Sequence, residues 1–354
     1  MRFSVGHRED PLFREAVLSH PGVVTEVYFA WPGIASGRTG QGGVSVGRES
    51  SLLSDLRVYA SRGLSLNLLL NGNCYGRQSL SRSFHSHVGE VVDYLRGEVG
   101  VSSVTTASPV IARFVRLNFP GLEVRGSVNL GIGTAAALEH LDGLFDAVYA
   151  RRELNYDLVG LTALREACAR RGVRLLMLAN SGCLNDCPAR TFHDNLVAHE
   201  NEIAEMDNAF EFEGLCHRRL STAEGRAELL RHSNAIRPED VWRYESLCDG
   251  MKLATRASRQ AATIVEAYAT GRHSGNLLDL TEPSYSAHYR PFVLSGDRLP
   301  PDYWERRTGC GGSCADCGWC REALRAALVD VSGLGDAASA SPREQQGDAG
   351  NADK

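Results

Sequence analysis

Along the first 180 residues, short apolar runs alternate with longer stretches whose apolar residues recur every three or four positions. The short runs are residues 3–7, 24–31, 64–71, 101–108, 122–129, 146–153 and 173–180. Their lengths and polar boundaries are those of buried strands. The stretches 49–62, 86–98, 134–142 and 158–171 carry a helical stripe of apolar residues. Strand–helix alternation predicts βαβ units on a parallel sheet. Seven such units before an eighth strand predict a closed TIM-like (β/α)8 barrel, with an open doubly wound sheet as the alternative. The eighth strand is either 234–236 or 251–255.

The pattern changes after residue 180. The segment 181–231 has no place as a barrel strand and reads as an elaborated loop after strand seven. Residues 257–272 are again helical, so the barrel is expected to span 1–282. A cysteine-rich extension, 283–332, follows, irregular over 283–309. The last stretch, 333–354, is rich in Ala, Ser, Gln and Asp without apolar periodicity and is expected to be a disordered tail.

With 354 residues and 43% hydrophobic content, the chain can bury a large core without metal or disulfides. Its net charge of −5, with both signs mixed along the chain, gives no basic footprint for nucleic acid. No apolar run approaches the roughly 20 residues of a membrane-spanning helix, and the start of the chain has no signal-peptide core. The expectation is a cytoplasmic protein, a compartment in which thiols stay reduced. That gives weight to the ten cysteines, eight of which lie after residue 180. Clustered reduced thiols point to metal or catalysis.

The densest group is Cys310-Gly-Gly-Ser-Cys314-Ala-Asp-Cys317-Gly-Trp-Cys320. Four thiols this close, with glycines that let the backbone curl, suit a zinc ion or an iron–sulfur cluster equally. A second group, Cys183-Leu-Asn-Asp-Cys187-Pro, directly follows the seventh apolar run. In a barrel the C-terminal strand ends form the active face, so these thiols are expected on that rim. Cys216 and Cys248 are candidates to fold back onto them. His193 lies in a stretch dense in titratable groups and reads either as a general acid or as part of a solvated helix face. Asn71 and Asn129 fall at strand ends and are candidate substrate ligands, as is Arg237, expected to pair with Glu239 across the mouth. Lys252 and Arg256 flank the end of the last strand and could hold an anion. Gly43-Val-Ser45-Val-Gly47 matches a nucleophile elbow but does not join a strand to a helix. Gly131-Ile-Gly133-Thr-Ala-Ala136 reads as a tight βα turn.

The ordered set Asn180-Ser-Gly-Cys183-Leu-Asn-Asp-Cys187-Pro, Cys216, Ile236-Arg-Pro-Glu-Asp240 and Lys252-Leu-Ala-Thr-Arg256 resembles the collagenase-like peptidase superfamily, peptidase family U32, over most of residues 1–330. The resemblance implies a TIM-like barrel with a [4Fe–4S] cluster on four cysteines. It also implies oxygen-independent hydroxylation in some members and peptidase activity in others. Cys183, Cys187 and Cys216 match the pattern. No cysteine stands where the hydroxylases carry their fourth, within 236–241, and Cys248 is the nearest substitute. The C-terminal group is an addition to the pattern, suited to a second iron–sulfur cluster or to zinc.

The expected function is therefore an iron–sulfur enzyme performing oxygen-independent hydroxylation or related redox chemistry on a small or carrier-bound substrate. Catalysis is assigned to His193, Lys252 and Arg256. The alternatives are a peptidase and a non-catalytic partner that passes electrons to, or scaffolds, another iron–sulfur protein.

Overall fold

The computed structural model describes residues 1–37, 46–312, 314 and 316–332. The expected tail, most of the 43–47 motif, and two residues inside the C-terminal cysteine group lie outside them. Eight parallel strands close into a barrel: β1 (Phe3–Gly6), β2 (Val24–Ala30), β3 (Ser65–Leu70), β4 (Ser103–Thr106), β5 (Glu123–Gly126), β6 (Ala147–Tyr149), β7 (Arg174–Leu178) and β8 (Gly250–Leu253). Each strand pairs with the next, and β8 pairs with β1, so the sheet has no open edge.

Helices α1 (Pro11–Ser19), α2 (Val46–Ser61), α3 (Arg82–Val99), α4 (Pro109–Asn118), α5 (Ala135–Glu139) and α6 (Leu158–Arg170) connect the first seven strands. Two of them, α1 and α4, escape the periodicity reading. Their starts are nonetheless written in the sequence, because Asp10 and Ser108 cap free amides and each precedes a proline. The insertion after β7 folds as short helices: α7 (Arg190–Ala198), α8 (Glu200–Ala204), α9 (Leu215–Leu220), α10 (Ala223–Ala227) and α11 (Leu229–His232). Beyond β8 come α12 (Ala261–Thr270), α13 (Ser286–Tyr289), β9 (Phe292–Leu294), α14 (Tyr303–Thr308), α15 (Trp319–Ala327) and β10 (Leu328–Asp330). The region 283–309, expected to be irregular, thus holds two short helices and a strand that pairs with β10.

Of the two candidates for the eighth strand, 251–255 supplies it. Residues 234–236 instead tie the insertion down: Asn234 donates to the Cys183 carbonyl at 2.6 Å and accepts from Asn155 at 2.8 Å.

Alternation along each strand separates two environments. Outward residues such as Val27, Leu68, Val104, Val148 and Met177 pack under the helices in one continuous core. The inward set is polar at its lower layer. Glu26 accepts from Ser4 at 2.6 Å, from Arg125 at 2.7 Å and from Asn67 at 3.3 Å. Burial works against the Glu26 carboxylate, yet Arg125 with the Ser4 and Asn67 bonds holds it below its ordinary range.

Candidate functional site

Above the Glu26–Arg125 layer the barrel interior carries Tyr28, Tyr149 and Lys252. The Lys252 ammonium lies 3.8 Å from the centre of the Tyr28 ring and 5.7 Å from that of Tyr149. Two electron-rich ring faces thus replace part of its lost hydration. Tyr28 is held in place by its hydroxyl, which donates to the Leu253 carbonyl at 2.8 Å. Among the described residues no carboxylate pairs with Lys252. Burial, then repulsion from Arg256, lowers its titration to about 7. Lys252 stays partly accessible, so its amine can meet a ligand entering from the mouth.

Arg256 crowns this position. Its guanidinium donates to the Ser36 hydroxyl at 3.2 Å and the Ser36 carbonyl at 3.1 Å. Burial weakens its charge as well. Neighbouring strand ends add polar groups, with Arg152 donating to Asn129 at 3.0 Å. Asn71 is 7% exposed, and its Oδ1 meets no donor among the described residues. The structure thus brings Lys252, Arg256, Asn71 and Asn129 to the C-terminal ends of the strands, as expected. Arg237 goes elsewhere. It pairs with Asp240 at 2.6 and 3.0 Å, not with Glu239, and stacks on Tyr303 at 4.9 Å. Glu239 accepts from the His273 amide. His193, on α7, packs edge-on against Phe212 at 5.3 Å.

The cysteines separate into three places. Cys183 and Cys187 follow β7 on the C-terminal rim, and Cys216 lies on α9 of the insertion. Cys248 immediately precedes β8, which puts it at the opposite, N-terminal pole. There its thiol donates to the Tyr244 carbonyl at 3.6 Å, and burial pushes it up to about 12. The expectation that Cys248 completes a four-cysteine set with Cys183 is therefore corrected by barrel topology. Cys310, Cys314, Cys317 and Cys320 line one cavity of about 430 Å³, together with Arg231, Arg307 and Arg321. Burial raises the Cys320 thiol, and the other three thiols act on it in the same direction. Among the described residues, no three His, Cys, Asp or Glu side chains come together as metal ligands.

Comparisons with known proteins agree with this architecture. No protein-family model matches the chain. It is 26% identical over 317 residues to the uncharacterized protease MJ1657 of Methanocaldococcus jannaschii, covering 86% of this chain and 88% of the relative. The solved structure of the U32 peptidase Mk0906 superposes with a TM-score of 0.52 at 19% identity, covering 73% of this chain and 94% of that one. Both likenesses, to a protein named as a protease and to one named as a U32 peptidase, support the resemblance to the collagenase-like U32 peptidase superfamily.

Within this barrel, one grouping escapes a reading of the sequence. Cys74 lies on the turn after β3, and its sulfur accepts from the Gly76 amide at 3.3 Å. His199, at the junction of α7 and α8, packs against the same turn, its Cε1 3.5 Å from where a Cβ on Gly76 would stand, and pairs with Glu202 at 2.9 Å. Cys74 and His199 are 125 positions apart. Only the folding of the insertion over the rim joins them, and the spacing that flags the other cysteines is missing.

Proposed function

We propose that this chain is an enzyme that binds an anionic substrate in the barrel mouth, with Lys252 and Arg256 as the recognising cations. One observation carries the reading: a lysine amine inside the barrel, stacked on Tyr28 and Tyr149, faces the mouth with no carboxylate partner among the described residues. A buried cation whose nearest carboxylate influences, Glu26 and Glu282, make no ion-pair contact with it costs stability, which favours any site that receives an anion in use. A titration of about 7 also lets Lys252 give or take a proton near neutral pH.

The test is ligand binding. Small carboxylates and phosphates are offered to the wild-type protein and to Lys252→Met, and binding is followed by calorimetry. Anions are expected to bind the wild type and to lose about ten-fold or more in affinity in the variant, the equivalent of one charge-assisted contact. Equal binding by both proteins, or none by the wild type, refutes the reading.

The finer reading, oxygen-independent hydroxylation with iron–sulfur chemistry, is a proposal about the cysteines. On this rim Cys183, Cys187 and Cys216 have no fourth thiol at Cys248, so that set does not fit a four-thiolate cluster. The C-terminal set offers four thiols along one cavity, though among the described residues no three of them stand together as ligands, so metal there would have to draw them in. Cys310, Cys314, Cys317 and Cys320 would hold the group, and it would supply one-electron transfer if iron–sulfur, or cross-link the segment if zinc.

A further inference from the structure

We propose that Lys252 is a covalent site whose amine forms an iminium with an aldehyde or ketone that carries an anionic group. On the anion reading of the mouth, on which this rests, Arg256 takes the anionic group and Lys252 takes the carbonyl carbon. Of the 38 lysines and arginines in the chain, all but Lys252 and Lys354 are arginine. Lys354 lies outside the described residues, so Lys252 is the one lysine among them, with Arg125 in the layer below it and Arg256 above. A guanidinium stays charged and offers paired donors, so it serves ion pairing and anion binding at least as well as an ammonium. It does not release a proton and attack carbon. An amine at this one position fits a step that uses its lone pair.

The geometry brings the two cations to one ring. The Lys252 Nζ atom lies 3.8 Å from the centre of the Tyr28 ring, and the Arg256 guanidinium carbon lies 5.9 Å from the same centre. Tyr149 stands 5.7 Å from the amine. A Cβ on Gly6 would lie 2.5 Å from Arg256 Cγ and 2.7 Å from the Tyr28 ring. The glycine at the end of β1 thus leaves room for both side chains to converge. Arg256 is fixed by its two bonds to Ser36, which leave further N–H groups for a carboxylate or phosphate oxygen. A small molecule held there by its anionic end presents its carbonyl beside the amine.

The electrostatics agree. Burial, then Arg256, lowers the amine to about 7, with Arg152 acting the same way and Glu26 and Glu282 against it. A lysine desolvated beside a second cation carries a large neutral fraction at neutral pH, and the neutral form is the nucleophile. The faces of Tyr28 and Tyr149 also shield the amine from bulk water, which favours a step that expels water.

The step balances without an oxidant or reductant. The nitrogen lone pair forms a bond to the carbonyl carbon as the C=O π pair moves onto oxygen. A proton passes from nitrogen to that oxygen through solvent and gives a carbinolamine. The hydroxyl takes a second proton from solvent and leaves as water, while the nitrogen pair forms the C=N bond. Amine, carbonyl and one proton thus become iminium and water. The positive nitrogen then draws an electron pair from a bond at the adjoining carbon, so the iminium serves proton removal or C–C cleavage beside the carbonyl. Addition of water returns the free amine.

The test offers glyoxylate, glycolaldehyde phosphate and neutral glycolaldehyde to the full-length protein with sodium cyanoborohydride at neutral pH. Adducts are mapped by peptide mass spectrometry, and each rate at Lys252 is divided by the rate at Lys354 in the same sample. At least one anionic aldehyde should label Lys252 about ten-fold faster than glycolaldehyde does on this scale. The faster of the two identifies the anionic group as carboxylate or phosphate. Arg256→Gln should erase that preference. Lys252→Arg should take no adduct at this position and still bind the matching simple anion, acetate or phosphate, by calorimetry. Should that variant fail to fold, the site map of the wild type decides. No adduct on Lys252, or labelling no faster than at Lys354, overturns the iminium, and anion binding by the wild type then leaves the reading of the mouth standing. Preferential labelling of Lys252 at equal rates by all three aldehydes keeps the iminium and refutes the anionic substrate class.

Discussion

Lys252 sets the energetic tone of the mouth. An ordinary lysine titrates at 10.5, and this one at about 7, chiefly because burial penalises its charge. Between those values the unfolded chain holds a proton that the folded chain has released. Stability from this position therefore rises with pH across the window. Below about pH 7 both states are charged and the burial penalty stands in full. Lys252→Met removes the penalty, so its melting temperature should exceed that of the wild type at pH 6, and the gain should shrink toward pH 10. Thermal melts across that range measure it, and a gain independent of pH would contradict the argument. The Glu26–Arg125 pair one layer below behaves differently, since each charge there has its partner and neither waits for a ligand.

At the scale of elements, the end of β7 is stitched to the chain beyond β8. Asn180 is fully buried, donating to the Ala254 carbonyl at 2.8 Å and the Leu280 carbonyl at 2.9 Å. Two residues on, the Gly182 amide donates to the Glu282 carbonyl at 2.8 Å. A Cβ on Gly182 would lie 2.0 Å from the Pro283 carbonyl oxygen, backbone that cannot swing away. Gly182→Ala should therefore destabilise the fold by about 1–3 kcal/mol, as overpacked cores do. Urea unfolding measures the loss, and a neutral result would mean the two segments separate freely. These elements also show what a sequence can carry. The β1–β7 positions were legible because each outward stripe is continuous, as at Val27 and Phe29, and helices α3 and α6 because their apolar faces repeat. Helices α1 and α4 are shorter and announce themselves only by Asp10-Pro11 and Ser108-Pro109. Lys252 and Arg256 were legible as cations at a strand end. Cys74 and His199 were not, because the insertion that joins them has no periodicity to place it. Cys248 misled for the same reason, since adjacency to β8 says nothing of which pole until the strand's start is fixed.

For the molecule as a whole, the proposal of a metal turns on which cysteines would hold it. Barrel topology puts Cys248 on the pole away from Cys183, where it behaves as a buried core residue. Cys168, pushed up to about 11 by burial on α6, is of the same kind. The C-terminal thiols differ in having four donors on one cavity and cations around them. Arg307 acts on Cys310 and Cys320, and Arg231 on Cys314. These cations would offset part of the negative charge that bound thiolates bring. The cavity wall is also anchored to the insertion, because Glu228 pairs with both Arg231 and Arg321. Metal bound there would fasten the segment that carries Cys310, Cys314 and Cys317 to α15 and report on the fold as well as on activity. Anaerobic purification with iron, zinc and sulfide analysis should find metal in the wild type and in Cys248→Ala and Cys168→Ala. The double variant Cys310→Ala, Cys317→Ala should lose it and melt at a lower temperature. Sulfide in proportion to iron would identify a cluster, and zinc without sulfide a structural ion. Loss of metal from Cys248→Ala, or its full retention in the double variant, would move the site back to the rim and overturn this assignment.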